Sequence, residues 1–208
     1  MKKQVLVTTI LLVVVVFSIG VLLGNQWKSS RATEISKVLR QSELDAESFL
    51  VEQELFESFE TNCPLAEKRL GSLSEEQWKL GKVLGASDAK EKLGEEDYAF
   101  LKRKYHLMQI RTYILDKKLQ QDCGSKTNVI LYYFKKEDQP SEQQGKILDE
   151  LVEKYNLHVF AIEYQYSKEL EFLEDYYGIT TAPTLIVNYD HALPGLATKE
   201  QLMPLLYG

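Results

Sequence analysis

Two cysteines, Cys63 and Cys123, and three histidines, His106, His158 and His191, are the residues of this 208-residue chain with the widest chemical range. The sulfurs lie sixty positions apart and the histidines are scattered, so no Cys/His cluster has the spacing of a zinc site. A metal centre is not expected, and nothing calls for a cofactor. Three states remain for the sulfurs: a structural disulfide, a redox couple, or two free thiols. Neither cysteine has a vicinal resolving partner, so the structural bond is the leading reading. Closing a loop of that length is worth about 4 kcal/mol in the chain-entropy account. None of the histidines is assigned a catalytic role.

The compartment in which such a bond persists is set by the rest of the composition. Nineteen uncharged, mostly β-branched or Leu residues run from Val5 to Leu23 behind Lys2 and Lys3. At 1.5 Å per residue they span about 28 Å, one hydrocarbon core. A cleaved signal peptide would have a shorter apolar region and a small-x-small site, and residues 20–25 offer no convincing one. Residues 1–24 therefore read as an uncleaved transmembrane signal anchor. Positive charge flanks the run on both sides, so charge alone does not orient it. The pair of cysteines does, because a disulfide needs an oxidising compartment. The expectation is a single-pass membrane protein with a cytoplasmic N-terminus and an extracytoplasmic soluble part. The whole chain carries 25 basic and 31 acidic residues, net −6. That balance argues against nucleic acid as a partner, since phosphate neutralisation needs a basic face.

Residues 25–125 read as helices. Ile35, Leu39, Ala46, Phe49 and Phe56 fall on one stripe, and the acidic run Glu47 to Glu60 reads as a solvated face. Asn62 or Cys63 can cap a new helix with Pro64 near its start. Ser74 to Gln77 matches a capping box. A long helix from about Glu95 to Asp122 should bury Leu101, Tyr105, Met108 and Leu115 and end at Gly124 and Ser125. The pattern then changes. Val129 to Phe134 is a short apolar run that reads as a buried strand, followed by helix 146–155, strand 157–162, helix 169–177 and strand 184–187. Thr198 with Gln201 opens a last helix. Strands alternating with helices at this spacing imply a βαβ unit in a sheet covered on both faces.

The order of these elements, with Tyr177-Gly178-Ile179-Thr180-Thr181-Ala182-Pro183-Thr184 before an apolar strand and Gly195 before a final helix, resembles the thioredoxin-like fold. The fold class expected is α/β: a thioredoxin-like domain at 126–208, preceded by the all-helical region and the transmembrane helix. The resemblance implies a cis proline at Pro183 and a peptide-binding groove walled by Ala182 and Pro183. It also places the family's two catalytic cysteines on Asp138 and Ser141, so both sulfurs of the Cys-x-x-Cys motif are absent. Ser141 has the shape of a thiol without its acidity, and Asp138 is suited to cap a helix. No nucleophile elbow surrounds them, so a serine hydrolase is not the reading.

The function expected is a redox-degenerate, non-catalytic module that binds a protein or an extended peptide outside the membrane. The alternatives are a thiol-disulfide oxidoreductase using Cys63 and Cys123, or a structural subunit of a membrane assembly.

Overall fold

Helix α1, Cys63–Leu84, opens where the sequence places it. Asn62 adopts an extended conformation and its Oδ1 accepts the Leu65 N–H at 3.1 Å, with Pro64 in the first turn where a missing donor costs nothing. The computed structural model describes residues 62–207 and, before them, Leu12, Val13, Val14, Phe17 and Ser48. The expectations for the anchor at 1–24 and for the stripe Ile35 to Phe56 lie outside the described residues, those few helical positions apart. Among the described residues no helix is long and apolar enough to cross a membrane. Met1–Ser58 and Phe59–Gly208 form two units.

α1 does not restart at Ser74. The Ser74 Oγ donates to the Leu70 carbonyl one turn back at 2.9 Å, and Gln77 reaches sideways to the Met108 carbonyl at 2.9 Å and to the Thr112 hydroxyl. A residue pattern that makes a cap is used here inside a continuous helix, because the preceding turn offers the serine an acceptor. A short helix, α2 (Ala89–Leu93), leads into α3 (Glu95–Cys123), which ends on Gly124 with φ +68°, a left-handed cap that glycine adopts without a Cβ clash. Cys123 is bonded to Cys63, with Cα atoms 5.7 Å apart. The last residue of α3 thus meets the first of α1, and the two helices run antiparallel.

The sheet has the order β2-β1-β3-β4, with β1 Asn128–Phe134, β2 Leu157–Glu163, β3 Thr184–Val187 and β4 His191–Pro194. β1 and β2 are parallel, in register from Asn128 opposite Leu157 to Phe134 opposite Glu163, and α4 (Gln139–Lys154) makes the crossover between them. β3 and β4 add antiparallel. Between β2 and β3 lie a 3-10 turn, Lys168–Leu170, and α5 (Glu171–Tyr177); α6 (Lys199–Tyr207) closes the chain.

Alternation along β1 sorts the core into two layers. Val129, Leu131 and Tyr133 pack with Phe160, Ile162, Leu173 and Ile186 under Ile110 and Tyr113 of α3. Ile130 and Tyr132 pack on the opposite face with Leu185 and Val187 against Leu148 and Leu151 of α4 and Leu202 and Leu206 of α6. β1 is buried on both faces, which is why it reads as a continuous apolar run. α3 lies along β2: Lys102 pairs with Glu163 at one end, Tyr113 sets its ring against Phe160, and Asp116 holds His158 at the other. Sandwiched between α1 and the sheet, α3 buries two stripes, and the second one carries His106, Gln109, Ile110, Tyr113 and Asp116.

Candidate functional site

The first turn of α4 carries the two positions at which the resemblance places catalytic sulfur. Asp138 is the cap of the helix. Its Oδ2 accepts both the Ser141 N–H at 3.0 Å and the Ser141 hydroxyl at 2.7 Å. The Ser141 Oγ in turn accepts the Lys135 N–H at 3.0 Å, and the Tyr132 hydroxyl donates to the Ser141 carbonyl. Ser141 is 3% exposed, so its hydroxyl is closed into a local ring of hydrogen bonds and has no imidazole bonded to it. Donation from the serine hydroxyl, and then from its amide, holds the Asp138 carboxyl below the usual range. Burial pushes the Tyr132 phenol up to about 12, so it stays a donor. This is capping chemistry, with no group poised as a nucleophile.

The second element is the turn before β3. The Ala182–Pro183 bond is cis, Pro183 is buried and Ala182 half-buried. The carbonyls on either side are tied down. The Thr184 hydroxyl donates to the Thr181 carbonyl at 2.7 Å, and the Pro183 carbonyl accepts the Gly195 N–H at 2.8 Å. Gly195 has φ +82°, a backbone state that favours glycine. The Ala182 N–H and carbonyl have no partner among the described residues. No hydrogen bond joins Asp138 or Ser141 to Ala182 or Pro183. The two elements are linked through Gln144 of α4, fully buried, whose Oε1 accepts the Ala197 N–H at 2.7 Å two residues beyond Gly195. Gln144 went unassigned in the sequence, although Ser141, Gln144, Leu148 and Leu151 share one helical stripe and a polar residue on such a stripe signals a buried bond.

A groove of about 370 Å³ flanks the same helix start, with Tyr132, Phe134 and Ala161 on its floor and Lys135, Lys136 and Glu142 on its rim. Leu196, beside Gly195, is exposed.

Three further features fall away from this site. Cys63 and Cys123 form a disulfide outside both layers of the sheet core. His158 donates or accepts through Nδ1 at 2.8 Å from the Asp116 Oδ2, and Asp116 Oδ1 has no partner among the described residues. His106 is buried against Tyr166; burial, and then the nearby Lys102 ammonium, lower its pKa to about 4. Among the described residues no group of three or more His, Cys, Asp or Glu is placed to hold a metal ion.

No protein-family model and no curated protein matches this chain. Solved structures similar to it include one described as a malarial protein, at 20% identity over 38% of this chain and 93% of that one, with a TM-score of 0.34. Another is the oxidised thioredoxin from Plasmodium falciparum, at 19% identity over 45% of this chain and 88% of that one, also with a TM-score of 0.34. The likeness to a thioredoxin is weak and covers less than half of the chain. What is established is a mixed α/β unit built on a four-stranded sheet, with one disulfide joining its first two long helices.

Proposed function

We propose that the sheet and its helices form a thioredoxin-like module without thiol chemistry at its helix start, and that it holds an extended polypeptide against Ala182 and Pro183. In this reading residues 5–23 anchor it in the membrane, and the module faces the extracytoplasmic side. The order of a parallel β1-α4-β2 unit followed by an antiparallel β3-β4 hairpin supports the fold reading. The observation that carries the binding reading is the Ala182 backbone: a donor and an acceptor, half-buried and unpartnered among the described residues, between the bonded carbonyls of Thr181 and Pro183. An extended chain laid beside it would satisfy both groups as a strand satisfies an edge. The commitment of Ser141 to Asp138 and Lys135 supports a non-catalytic role.

Reduced, carboxymethylated α-lactalbumin, which stays extended, is the probe. The full chain in detergent binds it, and Ala182→Trp, which fills the space over that backbone, weakens binding at least about tenfold, or 1.4 kcal/mol, without lowering the melting temperature. Absence of saturable binding by the unaltered protein up to about 100 µM, a free energy near 5.5 kcal/mol, refutes the reading.

A further inference from the structure

α1 has 22 residues, yet among its side chains only Ala66 and Leu73 are fully buried. α3, the helix it packs on, buries nine. No residue of α1 belongs to either layer of the sheet core, and Leu65, Trp78 and Val83 of α1 are exposed. A helix of this length standing alone is marginal in water. It is held to α3 by an apolar seam, by contacts that include those of Gln77 to Met108 and Thr112, and by the disulfide at its first residue. Both cysteines are only partly buried, so a reductant can approach.

We propose that the Cys63–Cys123 bond is a redox latch. Oxidised, it keeps α1 docked on α3; reduced by a dithiol, it lets α1 leave while the sheet unit stays folded, and bares the outer stripe of α3 through Leu101, Tyr105, Met108, Leu115 and Leu119. The exchange has a direction. Cys63 occupies the first turn of α1, where backbone N–H groups favour a thiolate, while Cys123 ends α3 among carbonyls. A reductant thiolate therefore attacks the Cys123 Sγ, the S–S bond breaks, and the Cys63 thiolate leaves. The second thiol of the reductant, as its thiolate, then attacks its own sulfur in the mixed disulfide and releases the Cys123 thiolate. Two electrons pass to the protein pair, both thiolates take up protons from water according to their pKa values, and the reductant ends as an intramolecular disulfide.

Hydrogen exchange on the full chain in detergent, before and after treatment with dithiothreitol, tests this. Amides of residues 66–84 lose protection by up to about a thousand-fold, the equilibrium worth of freeing a loop of this length, while amides of 129–134 change less than about threefold. The double variant Cys63→Ser, Cys123→Ser reproduces that pattern without reductant, and reoxidation of the unaltered protein reverses it. Retention of α1 protection after reduction overturns the proposal, as does loss of protection in α1 and β1 together, which would make the bond a support of the whole fold. Resistance of the native bond to dithiothreitol overturns it too.

Discussion

His158→Phe leaves the Asp116 carboxyl stranded. That carboxyl is 1% exposed; among the described residues its Oδ1 lacks a partner and the His158 ring at 2.8 Å is the one bond to its Oδ2. Removing one partner of a fully buried pair costs about 3–5 kcal/mol, and a hydrogen bond to a charged group is worth about 1.5–3. The His158 side chain is 43% exposed, so water reaches the gap and the lower range applies. We expect a loss of about 2 kcal/mol. For the 150-residue unit Phe59–Gly208, with an unfolding entropy near 2.1 cal/mol/K per residue, this lowers the melting temperature by about 6 °C. The double variant Asp116→Leu, His158→Phe removes the orphaned carboxyl with its partner and recovers most of the loss, giving a coupling of about 2 kcal/mol. Thermal and urea unfolding of the four proteins at pH 7, followed by circular dichroism, measures the cycle. A His158→Phe protein within about 0.5 kcal/mol of the parent, or strictly additive single effects, refutes the reasoning.

Acid should weaken the fold through His106. Its folded pKa of about 4 lies below the ordinary 6.5, so the unfolded chain takes up the proton first, and stability is complete above pH 6.5 and lost as the pH falls towards 4. The loss is roughly 3 kcal/mol, and His106→Leu, which cannot titrate between Tyr105, Tyr166 and Lys102, should remove that component from urea midpoints measured across the range. Asp138→Cys with Ser141→Cys restores sulfur to the start of α4, half-buried at the first position and buried at the second, and insulin reduction should become measurable; a folded but inert double variant refutes the alignment of these positions with the family's cysteines. Membranes containing the full chain should retain it through alkaline carbonate extraction, and recovery in the soluble fraction starting after residue 24 would show a cleaved signal instead.

Elements whose residues are all of one kind were legible in the sequence. β1, buried on both faces, differs from its reading by one residue at its start, and β3 matches at Thr184–Val187. β4 was missed because His191, Ala192, Leu193 and Pro194 neither alternate nor form an apolar run; the strand exists because β3 offers it a ladder. The turn between them is hidden for a related reason. Asn188 and Tyr189 both have positive φ without glycine, held there by the Asn188 side chain bonding to Val129, Asn128 and Leu205. Asp138 could be read as a cap because capping is local. Gln144 was legible at most as a buried polar residue on an apolar stripe; its partner, and the pairing of Asp116 with His158, could not be read, since each partner lies more than forty positions away.

The disulfide also changes the route by which tension crosses the molecule. Along the backbone, sixty residues and three helices separate Cys63 from Cys123, and β1 follows almost at once. Along covalent bonds, a pull on the chain before Asn62 passes from Cys63 through sulfur to Cys123 and directly into the strand at the centre of the sheet. The helices between them, of which α3 packs on the sheet, lie off this covalent path. With the sulfurs joined, β1 is tethered to Cys63 through the sulfur bond and the few residues after Cys123. With them parted, the same tether grows by the contour of α1, α2 and α3, and those helices become the first elements to yield.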